Sequence, residues 1–88
     1  MAEHGITDAE LTEMAARVAA ATAGPWTSFV EGRDHSSGSD FIRTGAGEDI
    51  ELTGATPADQ DFIAHARQDL PRLLIEVRVL RERLGAGR

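Results

Sequence analysis

The chain has 88 residues, no cysteine and a net charge of −6. A chain of this length buries a small core, so we predict one domain over 1–88, with residues 1–6 and 85–88 disordered. Without cysteine there are no disulfides or thiolate metal sites, and the acidic charge disfavours DNA as a partner. No apolar run has the roughly 18 residues of a membrane span, and residues 1–20 lack signal-peptide character. We therefore expect a cytoplasmic protein that does not contact a membrane.

The charge is unevenly distributed along the chain. Residues 1–61 contain twelve acidic residues and three arginines, whereas residues 62–88 contain three acidic residues and six arginines. The C-terminal end is thus basic within an acidic protein. A small chain without disulfides gains stability from helix packing or from oligomerisation, and we expect a homo-oligomer.

The first predicted element is a helix that begins after Thr7. Thr7 and Glu10 have the spacing of a capping box, in which each side chain binds the backbone N–H of the other residue. Apolar residues then recur at helical spacing from Leu11 to Val18. Gly24-Pro25 predicts that the helix ends near Thr22.

The middle of the chain contains three short β-prone runs, separated by residues typical of turns. The runs are Trp26–Val30, Phe41–Thr44 and Asp49–Thr53. We predict a three-stranded antiparallel meander with a hairpin turn at Gly45-Ala46-Gly47. The polar connection from Glu31 to Asp40 is predicted to be a mobile loop.

The last predicted element is helical and begins at Pro57, with Thr56 as its N-cap. Pro71 lies inside this element and removes one helical hydrogen bond. We therefore predict a C-terminal helical segment that is kinked or broken near Pro71, and we favour two helices, 57–68 and 70–84, that meet at a corner. The predicted fold class is α+β.

A regular apolar pattern runs along the C-terminal segment, with alternating gaps of three and four residues. Its members are Ile63, Ala66, Leu70, Leu73, Val77, Leu80 and Leu84. This spacing is typical of helices that pair along an apolar seam. We predict that the part beyond Pro71 is the oligomer interface, which consists of Leu70, Leu73, Val77, Leu80 and Leu84.

The polar residues give little indication of catalysis or metal binding. His4, His35 and His65 do not form a set of zinc ligands. Ser36, Ser37 and Ser39 lie near His35 and Asp34, but a nucleophilic triad needs a rigid site with an oxyanion hole, and this segment is predicted to be a loop. We predict no catalytic residue, no metal and no cofactor.

One set of residues has the chemistry of a nucleotide pocket, because a guanidinium group binds phosphate and stacks on flat rings. The candidate ligand-binding residues are Trp26, Arg43, Arg67 and Arg72. In the alternative interpretation, Trp26 belongs to the core and the arginines complement acidic groups or the helix dipole.

Two segments resemble a family of small phage and prophage early-region proteins. They are AARVAAATAGPW, which ends the first helix, and DQDFIAHARQDLPRLLIEVRVLRERL, which forms most of the C-terminal element. These proteins are similar to the phage sponges that counter Thoeris defence. The resemblance implies an oligomer that encloses a cyclic nucleotide signal of a host immune system without changing it chemically.

We therefore expect a non-enzymatic phage or prophage accessory protein that forms a homo-oligomer and sequesters a cyclic nucleotide. The alternative is a protein–protein adaptor that uses the same apolar helix to bind a host protein, with its acidic half steering the encounter. A third hypothesis, an enzyme built on the Asp34–Asp40 loop, is the least favoured of the three.

Overall fold

The computed structural model describes residues 5–86 and has the α+β fold that the sequence predicts. The elements in chain order are α1 (Asp8–Ala20), β1 (Thr27–Phe29), β2 (Phe41–Arg43), β3 (Asp49–Ile50) and α2 (Pro57–Ala86). They form two compact units. The sheet unit is Thr22–Asp69, and the helical unit comprises residues 5–21 and 70–86 of the described chain. Because α2 is long, it contributes residues to both units.

The two helix starts confirm the capping residues predicted from the sequence. At α1, the N–H of Glu10 donates to Thr7 Oγ1 over 3.0 Å, and the N–H of Thr7 donates to Glu10 Oε1 over 2.8 Å. Thr56 and Asp59 exchange the same pair of bonds at α2, over 3.0 and 3.1 Å. Each exchange satisfies backbone N–H groups that a helix start leaves without a partner.

The sheet is the predicted antiparallel meander, in the order β1-β2-β3. Ser28 pairs with Ile42, and Ile42 pairs in turn with Ile50. The hairpin between β2 and β3 turns at Gly45–Gly47, where the N–H of Gly47 donates to the carbonyl of Thr44. Ile42, on the central strand, is fully buried and marks the centre of the core of the sheet unit.

The connection between β1 and β2 is a loop, as predicted, and side-chain hydrogen bonds to its backbone close it; its mobility stays a prediction. The N–H of Val30 donates to Asp34 Oδ2, and the N–H of Glu31 donates to Asp40 Oδ1, each over 2.8 Å. The N–H of Gly38 donates to Glu31 Oε1 over 2.6 Å. The acidic side chains of this polar segment are therefore the acceptors that close the loop.

Helix α2 is continuous from Pro57 to Ala86 and contains Pro71 in its interior. The favoured prediction of two helices meeting at a corner is therefore wrong. A proline removes one N–H and costs about 3 kcal/mol in a helix interior, but good helix formers on both sides oppose a break. The boundary between the two units nevertheless lies beside this residue, at Asp69 and Leu70.

The predicted disorder at the chain ends concerns mostly residues 1–4 and 87–88, which lie outside the described residues. Within the described range, α2 extends to Ala86. The prediction of one cooperative domain stays a prediction, since it concerns unfolding. No helix within residues 5–86 is both long enough and apolar enough to cross a membrane.

Candidate interaction surfaces

The most prominent surface feature of the helical unit is an apolar stripe along α2, which we call the α2 seam. It consists of the residues predicted as the oligomer interface: Leu70, Leu73, Val77, Leu80 and Leu84. Four of the five are exposed, by 51% at Leu70, 58% at Leu73, 46% at Leu80 and 71% at Leu84. Only Val77 is half-buried. Large apolar side chains arranged in a continuous stripe mark a surface that is covered by a partner more often than singly scattered ones.

One flank of the α2 seam adjoins α1. On this flank Leu74 and Arg81 are half-buried. Arg81 donates from Nη1 to Asp8 Oδ1 over 3.2 Å and from Nη2 to the carbonyl of Ile6. Leu11, which is 3% exposed, is the buried residue of α1. It lines a surface cavity of about 380 Å³ together with Arg78 and Arg81.

The other flank of the α2 seam is charged and open. Asp69, Glu76 and Arg83 are spaced by seven residues along α2, each preceding a seam residue, and all three are exposed. In paired helices these positions lie beside the apolar contact and meet charged groups of the partner helix. The α2 seam is thus bordered by α1 on one side and by a row of charges on the other.

Two of the four predicted ligand-binding residues lie together in the sheet unit. The indole Nε1 of Trp26 donates to the carbonyl of Thr22 over 3.1 Å, and Nε of Arg67 donates to the same carbonyl over 2.9 Å. Gln68 holds the Trp26 backbone, because its Oε1 accepts from the Trp26 N–H over 2.7 Å and its Nε2 donates to the Trp26 carbonyl over 3.2 Å. Both candidate side chains are half-buried. They form a fixed pair of an aromatic ring and a guanidinium group.

Arg43 and Arg72 have other surroundings. Arg43 binds Asp49 through Nε, over 2.9 Å, and lies 5.2 Å from the centre of the Phe41 ring. The hydrogen bond to Asp49 raises the pKa of the Arg43 guanidinium. Arg72 is exposed and belongs to the helical unit. Arg43 thus complements an acidic group, as in the alternative interpretation, and ligand binding by Arg43 and Arg72 stays a prediction.

His35 and Ser37 form a contact between a hydroxyl and an imidazole in the loop of the third hypothesis. Ser37 Oγ lies 2.6 Å from His35 Nδ1, and the N–H of Ser37 donates to the same nitrogen over 3.1 Å. The other ring nitrogen, Nε2, is buried without a hydrogen-bond partner. The rings of Phe29 and Phe41 lie 6.3 and 5.0 Å from the imidazole ring.

This arrangement lacks the third member of a triad. In a nucleophilic triad the serine and a carboxylate bind opposite nitrogens of the histidine, so that the carboxylate orients the base. Here the nitrogen opposite Ser37 meets no acceptor, and the carboxylate of Glu31 lies 3.8 Å from Nδ1, on the side of Ser37. The cluster is therefore better explained as the packed end of the loop than as catalytic machinery.

The most heavily bonded side chains of the sheet unit are ones that sequence reasoning did not select. Gln60 is 2% exposed, and its Nε2 donates to Ser28 Oγ over 2.9 Å and to the carbonyls of Phe29 and Phe41 over 3.2 and 3.1 Å. Arg33 binds Asp61 with both terminal nitrogens, over 2.8 and 2.9 Å. These bonds tie the start of α2 to the sheet and its loop. A glutamine between two aspartates is a weak signal in a sequence, because its acceptors lie far away along the chain.

Within residues 5–86, no three histidine or acidic side chains converge on a possible metal site. In comparisons with known proteins, no family model, no curated protein and no solved structure matched the chain. The resemblance to phage early-region proteins therefore stays a prediction.

Proposed function

We propose that this chain is a non-enzymatic binding protein that self-associates through the α2 seam. The observation that carries the proposal is the exposure of Leu70, Leu73, Leu80 and Leu84 on one side of a 30-residue helix. Burying a leucine side chain contributes about 1.5–3 kcal/mol relative to leaving it in water. A second copy that covers the same stripe buries both sets at once, because a symmetric interface uses the same surface of each subunit.

The resemblance to phage sponges suggests what such an oligomer does. In this proposal it acts in the host cytoplasm and sequesters a cyclic nucleotide immune signal. Trp26 and Arg67 support a ligand of this class, because an indole ring stacks on a base and a guanidinium group binds phosphate. Their common attachment to the Thr22 carbonyl holds both groups in place before a ligand arrives.

The test of self-association is the mass of the particle in solution. Replacing Leu73 or Leu80 by glutamate places a charge in the α2 seam, and we expect each variant to sediment as a folded monomer where the original protein is an oligomer. Ile75→Glu is the matched control, because Ile75 is 64% exposed on the same helix but lies off the seam. A monomeric original protein, or seam variants of unchanged mass, would refute self-association. A monomer that retains an exposed seam favours the adaptor for a host protein.

The test of ligand binding is calorimetry with a panel of cyclic dinucleotides, cyclic trinucleotides and cyclic ADP-ribose isomers. We expect one member to bind with a Kd below about 10 μM, which corresponds to roughly 7 kcal/mol. Trp26→Leu and Arg67→Gln should each raise the Kd of that ligand. Measuring the Kd of Arg72→Gln tests whether Arg72, a candidate residue of the helical unit, also contacts the ligand. If no member of the panel binds, the sequestration proposal fails, and self-association is judged separately by the particle mass.

A further inference from the structure

We propose that two copies of the chain pair their α2 helices antiparallel, with Glu76 of each copy facing Arg83 of the other. This inference rests on the proposed self-association and specifies its geometry. It follows from the unequal flanks of the α2 seam. One flank is occupied by α1, and the other presents the exposed charges of Asp69, Glu76 and Arg83.

The hydrogen bonds that Arg81 makes within its own chain determine the direction in which two α2 helices pair. In a parallel pair, the charged row of one helix meets the opposite flank of its partner, which would place Glu76 against Arg81. Arg81 already binds the Asp8 carboxylate and the Ile6 carbonyl within its own chain, and it is half-buried there. In an antiparallel pair, the charged row meets the charged row of the second copy. Both open flanks are then used, and the two flanks that carry α1 meet on the other side of the pair, where the Arg81 bonds within each chain are kept.

The signs of the charges determine the register. When Val77 packs opposite Leu80 and Leu73 opposite Leu84, Glu76 faces Arg83 twice, once in each direction. Both contacts are attractive. Four seam residues of each copy are buried in this register, namely Leu73, Val77, Leu80 and Leu84.

Sliding the helices by one heptad gives a worse set of contacts. Asp69 then faces Arg83, but Glu76 faces its own counterpart in the second copy. A slide of two heptads places Asp69 against Glu76, so that two acidic groups meet. Like charges at such positions weaken pairing. Of these three registers, only the first has no contact between like charges in this row.

A set of charge exchanges tests the pairing through the dimer Kd, measured by sedimentation equilibrium at about 50 mM salt, where surface charges are weakly screened. Glu76→Arg and Arg83→Glu each turn two attractive contacts into repulsive ones. We expect each to raise the Kd about tenfold, because a single exposed ion pair contributes at most about 1 kcal/mol. The double variant restores both attractive contacts with reversed signs, and its Kd should return to within about threefold of the original value.

The double variant separates the proposed register from its rivals. In the register shifted by one heptad, it would place arginine against arginine at position 76 and glutamate against Asp69. In a parallel pair, the arginine at position 76 would face Arg81. In both rival geometries the dimer Kd of the double variant therefore stays high. Asp69→Arg is the matched control, because Asp69 has no charged counterpart in the proposed register. The dimer Kd of this variant should stay unchanged.

A distance measurement tests the direction independently. The chain has no cysteine, so Arg72→Cys gives one spin label on each copy. With a rise of about 1.5 Å per residue, the two labels should be offset by about 20 Å along the helix axis in the proposed register and by none in a parallel pair. A dimer with level labels, or a double variant that remains weak, would refute the pairing while leaving self-association intact. A monomeric original protein would refute both.

Discussion

Different kinds of interaction stabilise the sheet unit and the helical unit of this protein, each within itself. In the sheet unit, polar side chains bind backbone groups of distant segments: Gln60 reaches β1 and β2, and Gln68 holds both backbone groups of Trp26. In the described part of the helical unit, Arg81 makes the long-range side-chain hydrogen bonds, and Leu11 is the buried apolar residue. The same unit leaves four leucines of the α2 seam exposed.

The difference indicates how each unit is stabilised. A buried polar group needs its hydrogen-bond partners, and Gln60 finds three within its own chain. An exposed leucine stripe lacks the cover that would stabilise it. In the proposed assembly the helical unit is therefore half of an interface, whereas polar side chains of the same chain hold the sheet unit together. The following changes test this contrast by damaging one unit at a time.

The largest effect is expected at Gly45 in the sheet unit. A Cβ atom built at Gly45 would lie 2.1 Å from the carbonyl oxygen of Gly24, which is a backbone atom and has little freedom to move. Gly45→Ala should lower the free energy of unfolding by about 4 kcal/mol or more, measured by urea denaturation. Gly47→Ala is the control in the same turn: it meets no atom within 4 Å, and its positive φ of 88° alone should cost about 1–2 kcal/mol. Equal losses would contradict the close approach.

The next largest effect is expected at Leu11 in the helical unit. Leu11→Ala removes most of a side chain that is 3% exposed, and we expect a loss of about 2–5 kcal/mol. Ile75→Ala, at a residue that is 64% exposed, should change the stability far less.

The Leu11 variant also tests whether the chain unfolds as one domain. Trp26 is the only tryptophan and lies in the sheet unit, so its fluorescence follows that unit, while circular dichroism follows mainly the helices. If the chain is one cooperative domain, Leu11→Ala shifts both transitions together. A shift in circular dichroism alone would show that the two units unfold separately.

Signals confined to a few residues made much of the fold predictable from the sequence. Thr7 with Glu10 marks a helix start because the two residues of a capping box are three positions apart, and Thr56 before Pro57 marks another because an N-cap directly precedes the first helical residue. The turn at Gly45–Gly47 was predictable for the same reason. The continuity of α2 through Pro71 was not predictable in this way, because the cost of a proline is local, whereas the helix-forming residues that oppose a break are spread over both sides of it.

The candidate surfaces were only partly predictable. The regular spacing of the α2 seam identified a stripe that the structure leaves exposed, because helical periodicity decides which residues share a face. The ties made by Gln60 and Gln68 join residues 32 and 42 positions apart, and no local pattern encodes such contacts. Trp26 and Arg67 were selected for their chemistry. Their common acceptor, the Thr22 carbonyl, depends on the fold of the sheet unit.

A smaller loss is expected when Gln60 is replaced by leucine. The shape is similar, but Ser28 Oγ and the carbonyls of Phe29 and Phe41 lose their donor. Leaving buried acceptors without a donor costs about 1–3 kcal/mol, which urea denaturation followed by Trp26 fluorescence should detect. His65→Leu is the control, because His65 is exposed on the same helix and its replacement should change little. An unchanged stability in Gln60→Leu would mean that polar ties do not hold the sheet unit.

The smallest effect concerns pH and the pair of Arg33 and Asp61. Hydrogen bonds to Asp61 lower the pKa of its carboxyl group to about 2. The bonds from Arg33 have the larger effect, and the bond from Ser28 has the smaller one. A carboxylate whose pKa is lower in the folded state than in the unfolded state stabilises the fold at pH values above about 4. This stabilisation is lost as the pH falls from about 4 through about 2.

Asp61→Asn removes this titration and should therefore flatten the decline of stability between about pH 4 and pH 2. The variant should be less stable than the original protein at pH 7, and the two should converge near pH 2. Arg33→Gln removes the hydrogen-bond partner of Asp61 and should flatten the decline of stability over the same pH interval. The flattening should be larger than in Asp61→Asn, because Arg33 also lowers the pKa of Asp34. Thermal unfolding across this range, followed by Trp26 fluorescence, measures the slope. An equally steep decline in Asp61→Asn would assign the acid sensitivity to other carboxylates and would remove this ion pair from the polar contacts that stabilise the sheet unit.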